Sequence, residues 1–333
     1  MTTQTSIGSS SDTSTGATVG ATTGVVPMLD ELVALRACVA GRRPPKFGRH
    51  GLSGQAASPM RGRGMEYAES REYAPGDDAR HIDWRLTART GRTHTKLFQA
   101  ERERLTLIAA DTAPALYFGT RTRFKSVQAA RAGAIAAWAA VRDGDRIALL
   151  RGSGREPPLA PVAGVQGALR ALGMLARWYA RRPDDDDGLE IALDHAQRLL
   201  RPGSRLIVLA DADSIHRVAP NRWSMLAQHR DVVVVVLTDP LEQSPPNATL
   251  PFEVLRTIGR RGGVLHGDTA STVRERLELD LAMPAQRARW HGAFVAPIDA
   301  AQTLLARAGI RVRVLSSEAA SESWLDALSR GSI

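Results

Sequence analysis

Cysteine is almost absent: the 333 residues hold one, Cys38. A lone thiol excludes an internal disulfide, which fits a reducing compartment and a cytoplasmic location. On a helical stretch it reads as a small buried hydrophobe and not as a catalytic nucleophile. Long apolar runs are missing as well. Nothing approaches the about 18 consecutive apolar residues that cross a bilayer, and the densest run, Val232 to Leu237, has the length of a strand. No membrane span is therefore expected. Aromatic residues make up only 5% of the chain, although an apolar share of 43% is enough for a proper core. Lysine is scarce beside arginine, and this shapes how the net charge of +9 is read. A phosphate-binding surface gathers Lys and Arg without carboxylates, whereas here the arginines are spread among acidic residues, so no nucleic-acid partner is expected. There is no Gly-x-Ser-x-Gly elbow and no His-Glu-x-x-His helix. Gly152-Ser153-Gly154-Arg155 lacks the Lys and Ser/Thr of a phosphate loop, so the chain should not bind ATP itself.

What is present falls into three parts. Residues 1–26 are Ser, Thr and Gly with almost no charge, and without the basic start and apolar middle of a signal peptide. They read as a disordered tail. Residues 27–104 hold an N-terminal helix, a linker and a charged region. The helix is marked by Met28, Leu32, Leu35 and Val39 at helical spacing, with Gly41 as its C-cap. Lys46 to Gly62 is a Gly/Ser-rich surface loop. From Arg63 to Glu103 both signs of charge are interleaved with Tyr67, Tyr73, Trp84 and Phe98. Pro75-Gly76 predicts a type II turn. Arg71, Arg80, Arg85 and Arg89 lie within a few residues of Glu66, Glu72, Asp77, Asp78 and Asp83, which predicts Arg–carboxylate pairs packed on the aromatics.

From residue 105 onward the pattern is that of an α/β domain. Leu105 to Ala110, Arg146 to Leu150, Leu206 to Ala210 and Val232 to Leu237 read as buried strands. Between them lie helical stretches: Phe124 to Val141, Val165 to Arg181 with Leu169, Leu172, Ala176 and Tyr179 on one stripe, and Leu189 to Leu200. Such alternation implies right-handed crossovers and a doubly wound, mostly parallel sheet of Rossmann type, with the charged region as a β-rich insertion before it. Phe252 to Ile258, Gly262-Gly263 and Val264-Leu265 suggest an edge hairpin, and helices at Thr272–Trp290, Pro297–Ala308 and Ser321–Ser329 close the chain.

The charged region also carries a family resemblance. Arg63-Gly64-Met65-Glu66, Arg71-Glu72-Tyr73-Ala74-Pro75-Gly76-Asp77-Asp78, Arg80-His81-Ile82-Asp83-Trp84 and Ala88-Arg89 resemble the signature of the bacterial domain of unknown function 58. Phe118-Gly119-Thr120, Phe124-Lys125-Ser126-Val127-Gln128 and Gly144-Asp145-Arg146 fit the same family in the same order. The resemblance implies a von Willebrand factor A-like domain and a partnership with MoxR-type AAA+ ATPases, and it implies no established enzymatic activity.

In an open α/β sheet, ligands bind at the carboxyl ends of the strands, where strand order reverses. Asp111 and Asp211 end two of the apolar runs, and on neighbouring strands they would share that crevice. Von Willebrand A domains place a metal-ion-dependent adhesion site there, with an Asp-x-Ser-x-Ser loop, a distant Thr and a second Asp around Mg2+. This chain reads Asp111-Thr112-Ala113-Pro114-Ala115, so two hydroxyl ligands are missing. The distant Thr position falls on Asp187 within Asp184–Asp187, and Asp213 offers a further oxygen. These carboxylates either compensate for the hydroxyls or are what remains of a degenerate site; each also suits a helix cap. The expected function is a non-enzymatic adaptor or assembly factor that works with a MoxR-type AAA+ ATPase on a client protein. The alternative is a metal-assisted hydrolase using the Asp111/Asp211 crevice. Glu66, Arg71, Asp77, Asp78, Arg80, Asp83, Trp84 and Arg89 are the binding or signature residues.

Overall fold

In a computed structural model of the chain, residues 24–40, 65–100, 104–258 and 271–328 are described. They belong to two units, Lys46–Arg104 and Met1–Pro45 together with Leu105–Ile333. The tail up to residue 23, Gly41, the Lys46–Gly62 loop and the Gly262-Gly263 turn lie outside the described residues. In the smaller unit, β1 (Met65–Glu72) pairs antiparallel with β2 (His94–Ala100). Ala74 to Asp77 forms the expected turn, with Gly76 at φ +105° and the Asp77 amide donating to the Ala74 carbonyl at 3.0 Å. Helix Trp84–Thr90 follows, capped by the Asp83 carboxylate, which accepts from the Leu86 amide.

The larger unit is built on a six-stranded sheet of β3 (Leu105–Ala110), β4 (Arg146–Arg151), β5 (Leu159–Ala163), β6 (Arg205–Ala210), β7 (Asp231–Thr238) and, after an intervening hairpin, β10 (Arg311–Ser316). The hairpin is a separate two-stranded sheet, β8 (Thr249–Ile258) with β9 (Ser271–Asp280). The order in the main sheet is β10-β7-β6-β3-β4-β5, all parallel except β5. Alternate side chains of each strand serve two cores, as the period-2 pleat requires. Ile108, Ile147, Leu149, Ile207 and Val235 face one side, against helices Lys125–Asp143 and Gly164–Ala180. Leu107, Leu150, Leu206, Val208 and Val234 face the other, against Leu189–Leu199, Pro220–Ala227 and Ala296–Arg307. Burial on both faces is why these strands read as unbroken apolar runs.

Several sequence expectations change. The N-terminal helix, as Leu29–Ala34 and Ala37–Ala40, groups with the larger unit. Its apolar face needs an apolar partner, and Leu32, Leu35 and Val39 find one in the Ala-rich helix Lys125–Asp143, where the Trp138 indole donates to the Leu32 carbonyl at 3.1 Å. Leu169 is 44% exposed, so the buried stripe of its helix runs through Ala168, Leu172, Leu175 and Tyr179 instead. The helix expected at Thr272–Trp290 is strand β9 up to Asp280, with helix only at Pro284–Trp290. The expected Ser321–Ser329 helix is, within the described residues, a single 3-10 turn at Leu325–Leu328. Strands β5 and β10 were not expected. Among the described residues, no helix is long and apolar enough to cross a membrane.

Candidate functional site

β3 lies between β4 on one side and β6 on the other, so strand order reverses at the β3/β6 boundary. Asp111 and Asp211 are the next residues after these two strands, and the Asp111 amide donates to the Leu209 carbonyl of β6 at 2.9 Å. The two carboxylates therefore meet at the switch point, as the sequence suggested. Both are buried, at 1% and 5% exposure. Asp211 caps helix Ala212–Arg217 by accepting from the Ser214 amide at 2.8 Å. Asp111 Oδ1 accepts from the Ala113 amide at 3.0 Å, while its Oδ2 is buried without a hydrogen-bond partner. The Tyr179 hydroxyl donates to the Asp111 carbonyl at 2.7 Å and fixes the loop from beneath.

Burial, followed by repulsion from the Asp211 carboxylate, pushes the Asp111 carboxyl up to about 7. The Ser214 hydroxyl and the Ala113 amide act in the opposite direction, and Asp186 adds to the rise. Every charge that acts strongly on Asp111 is thus negative. The other rim of the sheet differs. There Arg205, 1% exposed, pairs with Asp231 at 3.0 Å and with Asp143 at 3.2 Å, and Arg311 joins Asp231. Burial alone would raise Asp231, but Arg205 and Arg311 hold it below the usual carboxylate range. Among the described residues, Asp111 and Asp211 form no ion pair.

The four-aspartate loop reaches this crevice through a different member from the one expected. Asp186 accepts from the Thr112 hydroxyl at 3.0 Å and from the Gly188 amide at 3.2 Å. Asp187 instead accepts from the Gly154 amide at 2.7 Å, and Asp185 pairs with Arg151 at 2.6 Å and takes the Ser153 hydroxyl at 2.6 Å. The Gly152–Arg155 loop is thereby filled by carboxylates, which leaves no place for a phosphate. Asp213 points to solvent and pairs with Arg217 at 3.1 Å. The proposed metal donors do not converge: Asp187 and Asp213 are engaged elsewhere, and Ala113 and Ala115 offer no side-chain oxygen. Among the described residues, no three His, Cys, Asp or Glu side chains are grouped to hold a metal ion. The residues present do not fit an octahedral Mg2+ cage.

Residues 69–254 match the family model described as Protein of unknown function DUF58. The chain belongs to this family. It is similar to Uncharacterized protein Rv1480 of Mycobacterium tuberculosis and Uncharacterized protein Mb1516 of Mycobacterium bovis, each 28% identical over 261 residues, covering 76% of this chain and 75% of the relative. Among solved structures it is similar to an aerotolerance-related membrane protein from Bacteroides fragilis, with 14% identity and a TM-score of 0.38 over 68% of this chain and 98% of that one.

In this DUF58 chain the signature residues are mostly structural. Arg71 pairs with Asp77 at 2.7 Å, and Asp77 also accepts from the Ala74 amide inside the turn. Asp78 caps the 3-10 turn Ala79–His81 and lies 3.8 Å from Arg80. Asp83 caps its helix and accepts from the Ser70 hydroxyl at 3.1 Å. Arg89 is exposed in the last turn of that helix, where a cation suits the carbonyl end. Glu66 sits in β1 opposite Gln99. Packing of these pairs on aromatics is corrected for Trp84, which is 69% exposed. Downstream, the DUF58 residues Thr120 and Lys125 serve a network the sequence did not reveal. Thr120 donates to Asp239 through both amide and hydroxyl, Ser317 donates to the same carboxylate, and buried Lys125 pairs with Glu242 at 2.5 Å. Burial would raise Asp239, yet the hydrogen bonds from Thr120 and Ser317 hold it low.

Proposed function

We propose that this DUF58 protein is a non-enzymatic adaptor or assembly factor that works with a MoxR-type AAA+ ATPase through a von Willebrand A-like binding face whose metal site is degenerate. The observation that carries the reading is the pair of buried carboxylates at the switch point of a mostly parallel sheet, with no group of three His, Cys, Asp or Glu side chains to hold a metal among the described residues. Such a rim is built to receive a group from outside. The AAA+ partnership comes from the family resemblance, and it agrees with a Gly152–Arg155 loop whose Ser153 hydroxyl and Gly154 amide are taken by the chain's own aspartates. The ATPase would supply mechanical work, and this chain would present a client.

The test is capture of a purified MoxR-type ATPase, held in its nucleotide-bound state, on the immobilised full chain. Retention of the ATPase by the wild type and its loss with Asp213→Lys is the expected result; no retention of the ATPase by the wild type overturns the reading. A second reading, a hydrolase at the same aspartates, draws on Asp111, since a carboxyl near 7 can exchange a proton at neutral pH. It requires phosphodiesterase or peptidase turnover that disappears in Asp111→Ala.

A further inference from the structure

Beside the aspartates lies a cleft that no sequence motif marked. Its larger part has a volume of about 540 Å³, within the range of ligand-binding clefts. It is lined by Phe118, Phe252, Leu277, Leu279, Trp290 and Phe294. The hairpin supplies Phe252 and Leu277, which are cross-strand partners. A π-helical turn, His291–Val295, supplies Phe294, whose ring lies 4.4 Å from that of Trp290. Such turns break helical regularity and often accompany functional sites. Phe294 is 37% exposed and Leu277 43%, an unusual degree of exposure for large apolar side chains that share one concavity.

This apolar part continues into a smaller one of about 170 Å³, lined by Asp211 and Asp213. Ala115, Glu242, Ala293 and Phe294 border both parts, so the two form a single trough. The smaller part has one cation in its wall, Lys125, and this is already bound to Glu242. Arg289 borders the apolar part only. Glu242 is thus matched by Lys125, and Asp213 by Arg217, which lies outside the wall, so Asp211 is the carboxylate that gives the acidic end negative charge without an ion pair among the described residues, in a chain whose overall charge is +9.

We propose that this trough docks an extended peptide segment of a partner protein that carries a bulky apolar side chain beside a lysine or arginine. The apolar side chain enters the aromatic part and the cation meets the Asp211–Asp213 end. An acidic or purely polar segment would gain neither contact. The inference rests on the adaptor reading and gives it a recognition rule: the client or the ATPase presents an apolar–basic segment at the sheet's carboxyl rim.

The experiment is a fluorescence anisotropy titration of the full chain, without any ATPase, using three labelled probes: a peptide alternating Leu and Lys, the same peptide with Glu for Lys, and the same with Ser for Leu. The Leu/Lys probe is expected to bind at least about tenfold more tightly than either control, despite the positive charge of the protein. Phe294→Ser and Asp213→Lys should each weaken it by about tenfold or more. If Phe294→Ser does not melt like wild type, Leu277→Ser replaces it. Equal binding of the Glu probe, indifference to these substitutions in folded variants, or no binding of the Leu/Lys probe overturns the proposal. Peptide binding without ATPase capture defeats the adaptor reading alone, and ATPase capture without peptide binding defeats this inference alone.

Discussion

Replacing Asp111 by Asn should make the protein more stable at alkaline pH than at acid pH relative to wild type. An unfolded aspartate titrates near 3.8, whereas in the fold burial and the Asp211 carboxylate hold the Asp111 proton up to about 7. The native state therefore binds more protons than the unfolded state between these values. The stability contributed by the protonated carboxyl is fully present below 3.8 and is lost as pH rises through 7. At about 1.4 kcal/mol per pH unit the whole window is worth about 4 kcal/mol, an upper bound because the two aspartates share their titration. Asn keeps an oxygen for the Ala113 amide and does not ionise. From about pH 5 to about pH 8, the stability of Asp111→Asn should rise relative to wild type by about 2–3 kcal/mol. Urea denaturation at a series of pH values measures this. Parallel pH profiles for the two proteins, or a wild type that gains on the variant as pH rises, would refute the reasoning.

Asp186→Asn should lower the Asp111 titration, because it removes a neighbouring negative charge, while Asp187→Asn should leave it in place; carbon NMR of the carboxyls separates the two. Lys125→Met leaves Glu242 buried without its cation and should cost about 3–5 kcal/mol in a denaturant melt, with the Lys125→Met/Glu242→Gln double variant recovering part of the loss. Arg205→Met should cost less, about 1–3 kcal/mol, because it removes the buried cation shared by Asp231 and Asp143 while Arg311 still pairs with Asp231 and Arg142 with Asp143. Gly152→Ala drives a methyl group into the Gly188 carbonyl and should destabilise by about 1–3 kcal/mol, seen as a lowered melting temperature.

The parallel strands could be read in the sequence because burial on both faces leaves Leu206–Ala210 and Val232–Leu237 wholly apolar and Leu105–Ala110 apolar but for Thr106. The same logic hid the outer elements. Arg311-Val312-Arg313-Val314 alternates charge with valine, which suits an edge position but gives no continuous run. β5 contains Pro161, which a central strand would reject and an edge accepts. In β9 the Arg, Glu and Leu residues have helix-forming character, and only pairing with the distant β8 makes them extended. The meeting of Asp111 with Asp211 followed from strand ends alone. The choice of Asp186 over Asp187 did not, because a run of four identical residues has no visible register. The aromatic trough draws on the loop after β3, a hairpin and a π-turn, which sequence spacing cannot bring together.

The edge position of β10 has a consequence for biosynthesis. Until residues 311–316 have left the ribosome, the nascent chain carries Val232–Leu237 as an open, uncharged margin of the sheet. Such a margin is a template for intermolecular association. A product that stops before Arg311 is therefore expected to scatter light as aggregates and not to persist as a shortened soluble protein.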